Sequence, residues 1–400
     1  MASSAATATV DDGSLVLVDV AGERNDVRIG RSGGEVTLRD EGAALTPGTG
    51  CQAAGQGQVR CTGVAQLTAA LGDGDDTIAV SIYLISNVWG GDGDDRLTTG
   101  AAGDAVFGGE GDDTLQTGGG DDVVAAGAAD PGNDTIDGAA GSDVFLPGAG
   151  ADAVRGGSGH DRVSYEDHQA GVTVTLDGAA NDGSPSEGDS IASDVEHVVG
   201  GGGDDELVGD DGANILDGAR GRDRVSGRGG GDTLLDTSVT GGNVFDGGPG
   251  NDSISSRQIV TNEQSGFVAL LPLADTAACG ADLDALAGDF RDAVGNDCES
   301  TDRGIGAQPG PVRMTRRGRV SVLMTCGSPQ ACDFGLRLRP LTGTAEVSVQ
   351  AGQSQRVVLA TTRRGARRVL KSRRVRAQLM ASASGVPGLF TRLTVLAPRR

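Results

Sequence analysis

The chain has 400 residues, more than one average domain, and its 69 glycines without collagen-like triplets or Ser/Gln-rich tracts indicate many turns. Its net charge of −23 combines an acidic region, residues 1–306 with 54 acidic and 15 basic residues, and a basic tail, residues 307–400 with 2 and 18. The acidic region excludes nucleic acid as a partner, because it would repel phosphate, and it needs cations to become compact.

Targeting and membrane signals are absent from the sequence as given. No apolar run approaches 18 residues, so no membrane span is predicted. The opening residues, Met1 to Thr7, do not resemble a signal peptide, so the start is trimmed or misassigned, or export uses another route.

Residues 1–70 are predicted to form a β-rich N-terminal cap. Short alternating runs at 15–20, 27–29 and 36–38 are bounded by Gly and Asp, which is typical of strands. Such strands would cover the exposed end of a solenoid, which is otherwise a sticky edge.

The six cysteines fall into three local pairs, none with C-x-x-C spacing, so zinc and thioredoxin-type sites are not expected. Three short-range disulfides and an oxidising compartment are favoured over six reduced cytosolic thiols. The expected pairs are Cys51 with Cys61, Cys279 with Cys298 and Cys326 with Cys332.

A nine-residue period runs, with interruptions, from Leu71 to Ser255. Clear copies are GGDGDDRLT at 90–98, GGEGDDTLQ at 108–116, GGSGHDRVS at 156–164 and GGPGNDSIS at 247–255. They satisfy G-G-x-G-x-D-x-U-x, where U is a large apolar residue. Residues 71–164 and 200–255 are the two predicted repeat blocks.

Each x-U-x triplet suits a very short strand whose central side chain points inward, and stacked strands then form one apolar column. The preceding six residues form a turn in which glycines permit positive φ and close backbone approach. The U residues are Leu97, Val106, Leu115, Val124, Ile136, Phe145, Val154, Val163, Leu207, Leu216, Val225, Leu234, Phe245 and Ile254.

The motif resembles the hemolysin-type (RTX) calcium-binding repeat. This resemblance implies an all-β fold, a parallel β-roll or β-helix solenoid of Gly/Asp-rich nonapeptides, with Ca²⁺ held between successive turns on one edge. The implied ligands are the sixth-position residues Asp76, Asp95, Asp104, Asp113, Asp122, Asp134, Asp143, Asp152, Asp161, Asp205, Asp223, Asp232 and Asp252.

Charge supports the same prediction. Two nonapeptides make one coil, so Asp95, Asp113, Asp134 and Asp152 should stack along one edge and Asp104, Asp122, Asp143 and Asp161 along the other. Rungs roughly 4.8 Å apart would repel one another unless Ca²⁺ intervened. The alternative is a metal-free β-helix with solvated acidic turns. Sites are expected to be weak or empty at 99–107, which has Ala102 for Gly, and at 209–217, which has Asp210 and Asn214.

The period breaks over residues 165–199, which are predicted to form an inserted coil or hairpin. Asp177, Asp182 and Asp189 could hold an additional ion there, but a solvated loop is favoured because no EF-hand spacing occurs.

The C-terminal part divides into two further regions. Residues 256–306 are predicted to form degenerate coils closed by a disulfide, and residues 307–400 a basic β-sandwich-like module, with strands at 320–324, 336–338, 347–349 and 393–396. The basic cluster at 363–376 fits either an anionic cell-surface polymer or a solvated face, and the solvated face is favoured.

No catalytic residues are assigned, because the sequence contains no H-E-x-x-H, G-x-S-x-G or P-loop motif. The predicted protein is therefore a secreted, extracellular calcium-binding protein with an adhesive, matrix or cell-surface role. The enzyme alternative is a Ca²⁺-dependent polysaccharide lyase or epimerase on a β-helix, which the scarcity of aromatic residues disfavours.

Overall fold

The computed structural model of the protein describes residues 6–19, 24–55, 57–127, 132–237 and 242–255, and chiefly strands from residue 260 onwards. The described residues form strands and turns. Among them, no helix has the length and apolarity needed to cross a membrane. Two compact units are present, Met1–Asp210 and Asp211–Arg400, and each is described by itself.

The first unit begins with antiparallel strands and continues with short parallel ones. Its strands are β1 Ala6–Asp11, β2 Ser14–Val18, β3 Asp26–Ser32, β4 Glu35–Asp40, β5 Leu45–Pro47, β6 Cys51–Ala53, β7 Gln58–Cys61, β8 Gln66–Asp73, β9 Thr77–Val80, β10 Ile85–Asp92, β11 Arg96–Thr98, β12 Ala105–Glu110, β13 Thr114–Gln116, β14 Val123–Gly127, β15 Thr135–Asp137, β16 Ala140–Gly141, β17 Val144–Gly148, β18 Ala153–Arg155, β19 Ser158–Gly159, β20 Arg162–Ser164, β21 Thr173–Thr175, β22 Ser190–Ile191, β23 His197–Val199 and β24 Glu206–Val208.

The N-terminal cap contains two hairpins that begin the solenoid. Asp12 and Gly13 connect β1 to β2, and Gly33 and Gly34 connect β3 to β4. All four residues have positive φ, as a two-residue type I′ turn requires. Strand β2 then pairs in parallel with β8, and β3 with β9, so each hairpin opens one sheet of the solenoid.

Two parallel sheets form the body of the first unit. One runs through β8, β10, β12, β14, β17, β20 and β23, and the other through β9, β11, β13, β15, β18 and β22. In the second sheet Leu97 is in register with Leu115, Leu115 with Ile136, and Ile136 with Val154. The chain therefore crosses from one sheet to the other once per nonapeptide, and two nonapeptides make one coil.

Close stacking of the turns depends on glycine in several repeats. Gly91, at the second position of its repeat, has φ +128°, and a Cβ there would collide with the Gly72 carbonyl oxygen of the preceding coil. Gly109 has the same relation to Gly91. A side chain at either residue would force the coils apart, which explains the paired glycines of these repeats. Other repeats have Ala139 or Arg228 at the second position, with φ of only +64° and +66°.

The second unit contains the remaining repeats and a C-terminal region. Its strands are β25 Ile215–Asp217, β26 Arg224–Ser226, β27 Thr233–Leu235, β28 Val244–Asp246, β29 Ser253–Ser255, β30 Val260–Asn262, β31 Phe267–Ala269, β32 Thr276–Ala278, β33 Ala285–Ala287, β34 Ala293–Val294, β35 Ser300–Asp302, β36 Ile305–Ala307, β37 Pro311–Arg313, β38 Arg319–Cys326, β39 Cys332–Arg339, β40 Thr344–Val349, β41 Ser354–Ala360, β42 Arg374–Ala383 and β43 Val386–Leu396.

Parallel pairing continues in the second unit through β25, β27, β29, β33 and β35, and through β26, β28, β32 and β34. The C-terminal strands form a three-stranded sheet, β36-β38-β41, and a five-stranded sheet, β37-β43-β42-β39-β40. The four runs predicted as strands in residues 307–400 lie within β38, β39, β40 and β43. The exact division of the chain into six regions stays a prediction.

The apolar column predicted from the repeats is present. All fourteen U residues are buried, with at most 2% of their surface exposed. Each repeat thus contributes one fully buried aliphatic or aromatic side chain, and within each unit the stacked strands share a core. The all-β parallel solenoid expected from the sequence is confirmed.

Candidate metal centre

The sixth-position aspartates of the first unit stack along two edges of the solenoid, as predicted. On the first edge the backbone N–H of each rung donates to the Oδ1 of the rung in the next coil, at 2.7–2.8 Å. These residues, here named ladder 1, are Asp76, Asp95, Asp113, Asp134 and Asp152.

The opposite edge carries the same arrangement, here named ladder 2. Its hydrogen bonds measure 2.7–2.9 Å, and its rungs are Asp104, Asp122, Asp143 and Asp161. Because every Oδ1 accepts one backbone N–H, each carboxylate has a fixed orientation. Its second oxygen, Oδ2, is then directed to a constant place in every turn.

The second unit contains shorter ladders of the same kind. Asn214 N donates to Asp232 Oδ1, and Asp232 N to Asp252 Oδ1, both at 2.9 Å. Asp223 N donates to the side-chain oxygen of Asn243 at 2.8 Å. Asp205, in the first unit, differs, since Val172 N and Gly201 N donate to its two carboxylate oxygens.

All thirteen predicted ligands are buried, with 0–4% of their surface exposed. Loss of hydration disfavours the charged carboxylates and, aided by repulsion between neighbouring rungs, raises the pKa of Asp95 to about 7 and that of Asp143 to about 6. The pKa of Asp152 rises to about 8 for the same reason. The ionised form of these buried carboxylates is therefore disfavoured unless a cation compensates their charge.

The second carboxylate oxygens form a cradle suited to a cation. The Oδ2 atoms of five rungs are buried and have no hydrogen-bond partner, namely those of Asp76, Asp95, Asp143, Asp152 and Asp161. A Cβ on Gly90 would collide with Asp95 Oδ2 and approach the Gly108 carbonyl oxygen of the next coil. The first glycine of the repeat thus leaves room where a carboxylate oxygen and a carbonyl oxygen converge.

This donor set fits calcium better than zinc. Ca²⁺ prefers carboxylate and backbone carbonyl oxygens, whereas structural zinc sites gather four Cys or His ligands. Within the part of the chain that the structure describes, no group of three or more His, Cys, Asp or Glu side chains is placed to hold a metal.

Four residues that the sequence analysis did not assign complete the ladders, and one of them is Ser86, whose N donates to Asp104 Oδ1 at the start of ladder 2. Asn25 N donates to Asp76 Oδ1 and begins ladder 1, and Asp152 N donates to Asp189 Oδ1 at its other end. Glu196 Oε2 accepts from Asp161 N and ends ladder 2. Their register with the repeats is the only signal, because none of them lies in a complete nonapeptide motif.

The inserted segment is not a solvated loop at two of its three acidic residues, and that expectation was wrong. Asp182 and Asp189 are 2% and 0% exposed, whereas Asp177 is exposed. Thr175 N and Ile191 N donate to the two carboxylate oxygens of Asp182, and the hydroxyl of Tyr165 donates to Asp189 Oδ2 at 2.9 Å. Protein donors therefore occupy both carboxylates, which hold a larger coil together.

An exposed second row follows ladder 1 on its outer side. Asp94 N donates to Asp75 Oδ1, Asp112 N to Asp94 Oδ1 and Asn133 N to Asp112 Oδ1, at 2.7–3.2 Å. These fifth-position residues keep contact with water, so their charges cost less than those of ladder 1. They tie successive turns together without a buried carboxylate.

The predicted Cys51–Cys61 pair is brought together. The two residues lie directly opposite each other on β6 and β7, and their Sγ atoms are 2.04 Å apart, at disulfide distance. The side chains of Cys279, Cys298, Cys326 and Cys332 lie outside the described part of the structure, and so do the side chains of the basic cluster at 363–376.

Comparison with known families agrees with this geometry. Four segments match the RTX calcium-binding nonapeptide repeat, at residues 98–130, 129–163, 199–234 and 238–257. Among curated proteins, no relative matches the chain. The resemblance read from the motif is therefore confirmed, and over these segments the chain is built from RTX-type calcium-binding repeats.

Proposed function

We propose that Ca²⁺ binds between successive turns along the ladders of both units and that the repeat region folds only when it does. The buried, unpartnered Oδ2 atoms carry this proposal, since a carboxylate oxygen without a hydrogen bond or cation is costly inside a protein. The proposed ligands are Asp76, Asp95, Asp104, Asp113, Asp122, Asp134, Asp143, Asp152, Asp161, Asp205, Asp223, Asp232 and Asp252.

Each ion would also take backbone carbonyls from the turns that it joins. Gly90 and Gly138 illustrate this, because a Cβ on either residue would approach both a carboxylate oxygen and a first-position carbonyl of the next coil. Such a site joins two coils, and its binding free energy adds to the stability of the stack.

A structural role outside the cell is part of the proposal. Extracellular modules bind Ca²⁺ with Kd values of roughly 0.1–1 mM, which matches a site that depends on carbonyls and few charges. The Cys51–Cys61 pair is also consistent with an oxidising compartment. A rigid stack of coils suits a spacer in an adhesin or matrix component, and attachment through the basic tail to an anionic polymer stays a hypothesis.

Equilibrium dialysis and circular dichroism on the full chain test the proposal together. Several ions should bind per chain, and β-structure should appear cooperatively over the same concentration range. Zinc and magnesium at equal concentration serve as controls and should not replace calcium. If the chain keeps its β-signal in chelator and takes up no calcium, the proposal is wrong.

A further inference from the structure

Two turns of the solenoid, here named the exchanged turns, have Asp instead of Gly at the first position of the repeat and Asn instead of Asp at the sixth. In the first unit Val18 is in register with Ala70, and Ala70 with Trp89, so Asp19 occupies the position held by Gly90 in the repeats. Asn25 stands where Asp76 stands one coil later, because Asp26 is in register with Thr77. The turn therefore has Asp first and Asn sixth, instead of Gly and Asp.

The second unit repeats the exchange independently. Leu235 is in register with Asp217, which places Asp236 opposite Gly218, the first residue of its repeat. Val244 is in register with Arg224, which places Asn243 opposite Asp223. By sequence, both exchanged turns, 19–25 and 236–243, are longer than the usual six residues.

The exchanged residues bond to each other. Asn25 Nδ2 donates to Asp19 Oδ2 at 3.1 Å, and Asn243 Nδ2 donates to Asp236 Oδ2 at 2.6 Å. Asn243 Oδ1 still accepts the ladder hydrogen bond from Asp223 N, which fixes which amide atom is the nitrogen. Asn243 thus keeps the acceptor of the ladder and presents a donor where an aspartate presents Oδ2.

The amide nitrogen lies where ordinary turns gather oxygens. At Gly90 a carboxylate oxygen converges with the first-position carbonyl of the next coil. In the exchanged turn Asn25 Nδ2 is 3.4 Å from the carbonyl oxygen of Leu71, the first position of its next coil, and 3.1 Å from Asp19 Oδ2. One NH₂ group therefore approaches the two kinds of oxygen that a cation would join.

We propose that the turns 19–25 and 236–243 take no calcium, because the asparagine amide fills the place of the ion. This inference rests on the proposed function, since it assigns which turns of the calcium array are metal-free. In the first unit the exchanged turn begins ladder 1, so the row of proposed calcium sites ends at the N-terminal cap. The first coil can then form on the cap before calcium arrives.

Conservative substitutions test the inference by adding sites. Asn25→Asp and Asn243→Asp each replace the donor NH₂ by a second carboxylate oxygen facing an existing carboxylate. Each variant should bind one more Ca²⁺ than the natural chain in equilibrium dialysis. The matched control is Asn87→Asp, on the outer face of β10, which adds the same charge outside the turns and should bind no further ion.

The outcomes separate this inference from the proposed function. If the natural chain binds calcium and both Asn→Asp variants keep its stoichiometry while circular dichroism shows that they fold, the inference is overturned. Asp19→Asn adds an independent check, because Asp19 Oδ1 is buried without a partner. Its stoichiometry should equal that of the natural chain, and loss of one ion would also overturn the inference. Failure of the natural chain to bind any calcium would instead refute the proposed function.

Discussion

The N-terminal cap and the repeats are both built from strands, but they are stabilised in different ways. Cap strands such as β3 and β4 pair over six residues through a two-residue turn, and each buries two or three side chains. A repeat strand such as β13 has three residues and buries one side chain, Leu115. The cap can therefore fold from local pairing and apolar burial, whereas the repeats bury less apolar surface per strand, and under the proposed function calcium binding offsets the remaining chain entropy.

The largest expected difference follows from calcium removal. Chelator should abolish most of the β-signal of the repeats, because repulsion along the ladders is then unrelieved. Trp89 reports on this region, since its ring stacks on Phe107 at 5.2 Å and both lie on adjacent repeat strands. We expect its fluorescence to change with chelation. If chelator changes neither the Trp89 emission nor the circular dichroism, the cap and the repeats do not differ in their dependence on calcium.

Truncation of one core side chain in each region should also distinguish the cap from the repeats. Leu115→Ala in the repeats and Leu38→Ala in the cap each empty a fully buried site and should cost about 2–5 kcal/mol in calcium. In chelator, Leu115→Ala should have no further effect on circular dichroism, because its environment is already lost. Leu38→Ala should still lower the thermal stability of the remaining structure. Equal sensitivity of both variants in chelator would contradict this.

Glycine substitutions separate close stacking from turn conformation. Gly91→Ala should cost more than about 2 kcal/mol, because it combines a positive φ with a collision against the Gly72 carbonyl. Gly33→Ala, in the cap hairpin, has a positive φ but no atom within 4 Å of the new Cβ. It should cost only about 1–2 kcal/mol. Urea unfolding in saturating calcium measures both, and a larger loss for Gly33→Ala would refute the stacking argument.

Charge removal on ladder 1 should have a smaller effect. Asp95→Asn with Asp113→Asn keeps the ladder acceptors but removes two carboxylate charges, and the calcium midpoint for folding should rise about tenfold, a change of about 1.4 kcal/mol. Asp11→Asn with Asp12→Asn, on the exposed cap hairpin, is the matched control. A calcium titration followed by Trp89 fluorescence compares them. Equal midpoints for the two pairs would argue against ions on this edge.

The smallest effect concerns pH. In the calcium-free fold, burial raises the pKa of Asp95 to about 7 and that of Asp143 to about 6, above their usual value near 4. The neutral ladder is therefore favoured at low pH, and this stability is lost as pH rises from about 4 through 7. Between pH 7.5 and 5.5 we expect the calcium midpoint to rise and the calcium-free chain to gain β-structure. The cap should show little change. A fall in the calcium midpoint on going from pH 7.5 to 5.5 would contradict the predicted direction.

Much of the architecture could be predicted because the nonapeptide encodes it directly. One apolar residue at a constant position, such as Leu97 or Phe145, predicts both the strand and its inward face. The period of nine places Asp95 and Asp113 on the same edge, as the structure shows. A pattern repeated many times leaves little ambiguity about register.

The features that sequence reasoning missed have no repeated pattern. Asp189 and Glu196 continue the ladders from irregular coils, where register depends on the length of the inserted segment. Asp182 looked like a loop residue, because its partners Thr175 and Ile191 become neighbours only after folding. The exchange of Asp and Asn at Asp19 and Asn25 likewise becomes visible only when strand register is known.

The hydrogen bonds of the ladders have a direction. In every rung the backbone N–H of one coil donates to the side chain of the coil that follows it in sequence, as for Asp95 and Asp113 or Asp122 and Asp143. The exposed row has the opposite direction, since Asp94 N and Asp112 N donate to the preceding coil. Truncation from the C-terminal end therefore leaves the backbone N–H of the last ladder rung without its side-chain acceptor, whereas truncation from the N-terminal end leaves every remaining ladder N–H with its acceptor.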